Sequence, residues 1–181
     1  MTVYIIHMTF DQYPILRESM NKTREIIQYY RTGPLGDVPA INGKVVEEAI
    51  RHVLTDMGYG PVTTNGLVDL GIKSWETGFQ VKTFRTCNNT MILARSSKPN
   101  KELRILDIKD RVVESMKNTE TKRLILLNVD ILSLNFELYL LASMENTEIK
   151  TYGTFLDENN VWISPTGTQF SIKKSGLEKL S

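Results

Sequence analysis

Apolar positions along the chain recur with two different periods, and the change from one to the other marks out its elements. From 42 to 57 the period is helical: Val46, Ile50, Val53, Leu54 and Met57 form one stripe, Asn42 is placed to cap the first turn, and Gly58-Tyr59-Gly60-Pro61 stops the helix. At about 100° per residue, Glu47 lies roughly 20° from Leu54 and 60° from Ile50, while Glu48 points nearly opposite the stripe. Of the two adjacent glutamates, only Glu47 can face inward. The period then falls to two over 67–73 and 79–86, which predicts strands joined by a turn of hairpin length at 74–78. Val68, Leu70 and Ile72 share one side of the first strand, leaving Asp69 with Leu67 and Gly71 on the other. In the second, Phe79, Val81 and Thr83 oppose Gln80 and Lys82. Asp69, Gln80 and Lys82 can therefore converge on a single face.

The rest of the chain reads as alternating helix and strand. Residues 3–10 are compatible with a strand or with an apolar arm packed on a partner. Ile15, Leu16, Ile26, Ile27 and Tyr30, with Pro14 in the first turn, predict a helix over 13–30. The glycines and prolines of 31–41 then make a loop. A third strand is expected over 91–94, followed by a loop at 96–100. Asp107 is the expected cap of a helix through Lys117, with a short strand over 103–108 as a possible prelude. Residues 123–132 are apolar enough for a central strand, and 136–144 for its neighbour or a helix. Strands at 151–156, 161–164 and 168–172 and a short helix from Ser175 complete the expectation.

Composition narrows the class without naming a chemistry. A chain of 181 residues, 41% hydrophobic and 24% charged, fits one α/β domain able to bury its own core. Neither a long uncharged apolar run nor a leader-like N-terminus is present, so a cytoplasmic protein with no membrane partner is expected. The single cysteine, Cys87, has no partner for a bridge, and His7 and His52 lack metal-ligand spacing; His52 falls off the apolar stripe, at the surface. A net charge of +1 rules out arguing nucleic-acid binding from overall charge, so any such face must be local. Lys173, Lys174 and Lys179 are further basic positions near the end of the chain.

Gly43-Lys44-Val45-Val46-Glu47 on the first helix of this core, Val68-Asp69 on the first strand and Gln80-Val81-Lys82 on the second resemble the PD-(D/E)xK nuclease superfamily, most of all the type II restriction endonucleases. The likeness covers about 42–132. It implies a restriction-endonuclease-like core, helix, three strands, helix, strand (αβββαβ), with a mixed central sheet flanked by helices. An N-terminal extension (1–41) and a β-rich C-terminal addition (133–181) would complete a single nuclease domain. Two positions depart from the pattern: Val68 stands where the name-giving proline would be, and Gln80 replaces the second acidic ligand.

The resemblance implies Mg²⁺-dependent hydrolysis of double-stranded DNA. Mg²⁺ suits oxygen ligands, here the Asp69 carboxylate, the Gln80 amide oxygen and the Val81 carbonyl. Lys82 would orient or help deprotonate the attacking water and offset developing charge, and Glu47 would take a second metal or hydrogen-bond a coordinated water. With Gln80 neutral, weaker metal binding is expected. Candidate DNA contacts are Lys73, Arg85, Arg95, Ser96, Ser97, Lys98, Asn100, Lys101 and Arg104, which include the Arg, Lys and Asn side chains that match purine edges. Symmetric cutting implies a homodimer. A structure-selective nuclease such as a Holliday-junction resolvase shares this chemistry, and a catalytically silent DNA-binding or interaction module shares the fold.

Overall fold

Burial of the periodic stripes produces helices on both faces of a mixed sheet, an α/β arrangement, in the computed structural model, which describes residues 10–32, 43–63, 66–84, 90–151, 162–163, 169–174 and 177–180. The described elements begin with helices α1 (Tyr13–Thr32) and α2 (Gly43–Asp56), followed by strand β1 (Leu70–Ile72), a 3-10 turn (Lys73–Trp75) and β2 (Thr77–Phe84). Next come β3 (Thr90–Arg95), α3 (Lys101–Asn118), β4 (Arg123–Asp130), β5 (Phe136–Glu145) and β6 (Glu148–Thr151). Short strands β7 (Trp162–Ile163), β8 (Gln169–Lys173) and β9 (Glu178–Lys179) follow.

The larger sheet has the order β1-β2-β4-β5-β6, with β9 also paired to β5. Among the described strands only β2 and β4 run parallel, Gln80 opposite Leu126 and Lys82 opposite Asn128. A parallel pair needs a crossover, and the segment between β2 and β4 contains α3. Beyond β1, Val62 bridges Gly71 through reciprocal hydrogen bonds of 2.8 Å, so this edge continues for one residue pair.

The two faces bury different halves of the strand alternation. Against α1 and α2 lie Leu70, Ile72, Phe79, Val81, Ile125, Leu127, Val129, Leu138 and Leu140, joined by Phe10 and Trp75. Against α3, through Ile108, Val112 and Met116, lie Leu67, Val68, Leu124, Leu126, Tyr139 and Leu141. Gln80 and Lys82 belong to the α3 face, because each shares it with its register partner on β4.

Several boundaries differ from the sequence expectation, each for a local reason. The first strand begins at Leu70 instead of 67, since Leu67 and Val68 both turn into the α3-side core and break the alternation. The expected hairpin turn is the 3-10 turn, whose exit residue Glu76 takes a left-handed φ of 50°, and Trp75 is buried within it. Helix α3 starts six residues before Asp107, capped by Asn100, whose side chain accepts from the Leu103 N–H at 2.9 Å; no strand forms over 103–108. Residues 136–144 are strand, and 178–179 pair with β5 where a helix was expected. The third strand forms, but it pairs with β8 in a separate sheet, order β3-β8-β7, and not with the hairpin. The expectations for residues 3–9, Asn42, Arg85 and Cys87 fall outside the described residues.

Close approach fixes one glycine in this frame. A Cβ on Gly78 would sit 2.8 Å from Val68 Cγ1 and 3.3 Å from Thr121 Oγ1. Gly78→Ala is therefore expected to lose about 1–3 kcal/mol of stability by overpacking, measurable as a lowered urea midpoint at unchanged slope.

Candidate active site

Where β1 gives way to a bend, Asp69 stays tied to β2. Its N–H donates to the Phe79 carbonyl at 2.8 Å. Its Oδ2 accepts from the Val81 N–H and from Gln80 Nε2, both at 2.7 Å. In an extended strand a residue's N–H and C=O point to the same edge, so the Val81 carbonyl lies on the Asp69 edge of β2. The sequence thus builds a corner in which a carboxylate, an amide and a main-chain carbonyl share one place.

Gln80 is 3% exposed, and its Oε1 has no hydrogen-bond partner. Its orientation follows from chemistry: Nε2 is the group that can donate to Asp69, so Oε1 must face away. An orphan buried acceptor costs about 1–3 kcal/mol. That cost is removed by a cation or a donor, and if the amide turns end for end its oxygen joins the Asp69 carboxylate and the Val81 carbonyl in a donor set that fits an oxygen-seeking divalent metal. Among the described residues no group of three His, Cys, Asp or Glu side chains converges. The Asp69 corner brings together one carboxylate, an amide and the main chain, and the Glu47 carboxylate acts on Asp69 through space.

Glu47 sits where α2 meets the end of β2; near the helix start, a Cβ on Gly43 would lie 3.2 Å from Thr83 Oγ1. The side chain of Glu47 is 14% exposed, against 44% for Glu48, which pairs with Arg51 at 2.8 Å. Lys44 closes on Glu47 at 2.7 Å from the first turn of the helix. The solvent-exposed Lys44 is held above the usual lysine range by its hydrogen bond to Glu47 and by that carboxylate's charge.

Electrostatics set the corner apart from the rest of the surface. Burial raises the Asp69 carboxyl from its ordinary 3.8 to about 6; the Val81 N–H opposes this, the charge of Glu47 adds to it, and Lys82 and Lys44 pull it back. Burial lowers the Lys82 ammonium below its ordinary range, while Asp69 and Glu47 act through space to hold its charge. A carboxyl and an amine that partial burial pushes each toward its own neutral form are the groups from which acid–base chemistry is drawn.

Other expected residues are dispersed. Lys73 lies at the far end of the hairpin, five residues of strand or roughly 16 Å from Lys82, and pairs with Glu120 at 2.7 Å. In the loop before α3, Ser96 is buried, and Arg104 is committed to the carbonyls of Lys98 at 2.6 Å and Pro99 at 3.5 Å. Asn100 is occupied as the helix cap, and Arg111 holds the Arg95 carbonyl at 2.7 Å. Arg95, Ser97 and Lys98 remain exposed, and Lys101 is the first residue of α3. His52 is at the surface, 67% exposed beside Asp56.

The sequence reading did not single out Asn128, which lies opposite Lys82 on the same face. Its signal was a lone amide inside the apolar run of β4. No helix among the described residues is long and apolar enough to cross a membrane. No protein-family model, curated protein or solved structure matches the chain.

Proposed function

We propose that the chain is a Mg²⁺-dependent endonuclease of restriction-endonuclease-like fold that hydrolyses phosphodiester bonds of double-stranded DNA at a specific sequence, acting as a homodimer. The observation that carries this reading is the corner at Asp69: a half-buried carboxylate hydrogen-bonded to the Gln80 amide and the Val81 main chain, with an orphan Gln80 Oε1 and Lys82 on the same face. The parallel β2–β4 pair, with α3 in the segment between them, supports the fold.

Each side chain has a distinct task. With the Gln80 amide turned end for end, so that Oε1 takes the place of Nε2 beside the carboxylate, Asp69, Gln80 Oε1 and the Val81 carbonyl would hold the cation, which when bound neutralises phosphate charge and lowers the pKa of water. The N–H of Val81 fixes the Asp69 carboxylate, so the acceptor geometry exists before substrate arrives. Lys82, partly desolvated, orients the attacking water and meets the negative charge that grows on the phosphate oxygens. Glu47 adds negative charge at the mouth of the site, and Lys44 keeps it positioned from the same helix. The exposed Arg95, Ser97 and Lys98 before α3 are the groups left to touch DNA.

Incubation with plasmid DNA and with a synthetic four-way junction, in Mg²⁺ and in chelator, tests the reading. Discrete metal-dependent plasmid fragments are the expected result. Cutting confined to the junction would replace sequence specificity with structure selectivity, and binding without any product would leave only the silent module.

A further inference from the structure

Among the described residues two buried side-chain oxygens have no hydrogen-bond partner, Gln80 Oε1 and Asn128 Oδ1, and they belong to neighbouring strands of one sheet. Gln80 is in register with Leu126 and Lys82 with Asn128, so the two amides are diagonal neighbours on the α3 face, within reach of a side chain as long as glutamine. Both are almost fully buried, Gln80 at 3% exposed and Asn128 at 1%.

The partners of the two nitrogens decide where the oxygens point. Gln80 Nε2 donates to Asp69, which lies on the β1 side of β2, so Oε1 is turned off that edge, toward β4. Asn128 Nδ2 donates to Glu137 Oε2 at 3.4 Å, on the β5 side of β4, so Oδ1 is turned toward β2. The reverse placement would set the Asn128 oxygen against a carboxylate. Two acceptors therefore face the same space between β2 and β4. Lys82 and Lys174 are near, but neither ammonium bonds to Oδ1; Lys174 is held by Glu137 Oε2 at 3.0 Å and lies 4.9 Å over the Phe84 ring.

Turning the Gln80 amide end for end exchanges its two polar atoms. Oε1 comes to the Asp69 corner, and Nε2 takes the place that Oε1 leaves. A buried N–H there needs an acceptor as much as the oxygen needed a donor. Asn128 Oδ1 is the unpartnered acceptor on that side, so one turn can satisfy both amides. We propose that Gln80 has a second position, in which Nε2 donates to Asn128 Oδ1 while Oε1 is presented beside Asp69, and that a bound cation selects it. Asn128 is then a positioning residue for a metal ligand, and Glu137 stands one step behind, holding the Asn128 oxygen toward β2. The selection by a cation rests on the nuclease reading; the second pairing of the amides does not.

Scalar coupling through the hydrogen bond, measured in ¹⁵N,¹³C-labelled protein, reads the partner of Gln80 Nε2. In chelator the wild-type protein is expected to show coupling to Asp69 Cγ, and at saturating Mg²⁺ to Asn128 Cγ. Asp69→Ala removes the first acceptor, so this variant is expected to show the Asn128 coupling in chelator, with no cation present. Asn128→Leu keeps the branched shape without the oxygen and is expected to weaken Mg²⁺ binding about 10-fold in isothermal titration, because the turned N–H is left without an acceptor. Coupling that stays with Asp69 Cγ when Mg²⁺ is bound, an Asp69→Ala protein with no Asn128 coupling, or undiminished Mg²⁺ affinity in Asn128→Leu overturns the proposal. If Mg²⁺ moves no wild-type signal while Asp69→Ala shows the Asn128 coupling, the cation site and the nuclease reading fail and the second position stands.

Discussion

Lys82→Ala is expected to abolish DNA cleavage, by at least about 10³-fold in kcat, in a protein that remains folded. A loss of that size corresponds to about 4 kcal/mol of transition-state stabilisation, which is what a partly desolvated ammonium can supply and one in bulk solvent cannot. The fold is expected to tolerate the change because Lys82 bears no direct ion pair among the described residues and its burial works against its charge. Urea unfolding should give a midpoint equal to or slightly above wild-type, while cleavage disappears at saturating Mg²⁺. Asp69→Ala should match it in activity but not in affinity, losing Mg²⁺ binding in isothermal titration, whereas Lys82→Ala retains it. Persistent cleavage by either variant would remove the proposed chemistry.

Asp69→Asn is expected to stabilise the metal-free protein at neutral and alkaline pH. The folded-state carboxyl titrates near 6 against an ordinary value of 3.8, so folding favours the protonated form. That favourable contribution is complete at pH values below the unfolded value and disappears as pH rises through the folded one. Above it, the ionised carboxylate costs up to about 3 kcal/mol. Asparagine keeps an oxygen for the Val81 N–H and Gln80 Nε2 but never ionises. In chelator, the variant and the wild-type should unfold alike at about pH 4, and the variant should be more stable by about 2–3 kcal/mol at about pH 8. Equal stability at both pH values would show that burial does not penalise this carboxylate.

The sequence made parts of this site readable because they depend on local periodicity. The choice of Glu47 over Glu48 follows from a helical wheel, and the shared face of Gln80 and Lys82 follows from a period of two; neither needs knowledge of a distant partner. What was not readable depends on pairing between remote segments or on the direction of a hydrogen bond. That Gln80 gives its Nε2 to Asp69, leaving Oε1 alone, is a choice made by three-dimensional neighbours. Asn128 was hidden because a central strand of leucines and valines reads as apolar throughout, and one amide gains meaning only when Gln80 is known to lie on the neighbouring strand. The N-terminus of α3 differs for a simpler reason: Asn100 and Asp107 are both good cap residues, but the Asn100 side chain meets the unpaired N–H of Leu103 in the first turn, whereas Asp107 lies inside the helix, where the N–H groups that follow already have main-chain acceptors.

The partner of β3 also carries a lesson about the order of events in the cell. Residues 90–95 pair with 169–173, a segment that follows by more than seventy positions, while β2 and β4 find each other across one helix. During synthesis the hairpin, α3 and β4 can assemble while β3 still presents an open edge, which stays uncovered until residues 169–173 have emerged from the ribosome. Long-range closure of this kind is slow. A chain ending before residue 169 would keep the Asp69 corner yet expose that edge permanently, and self-association through it, more than lost chemistry, is the fate expected of such a fragment.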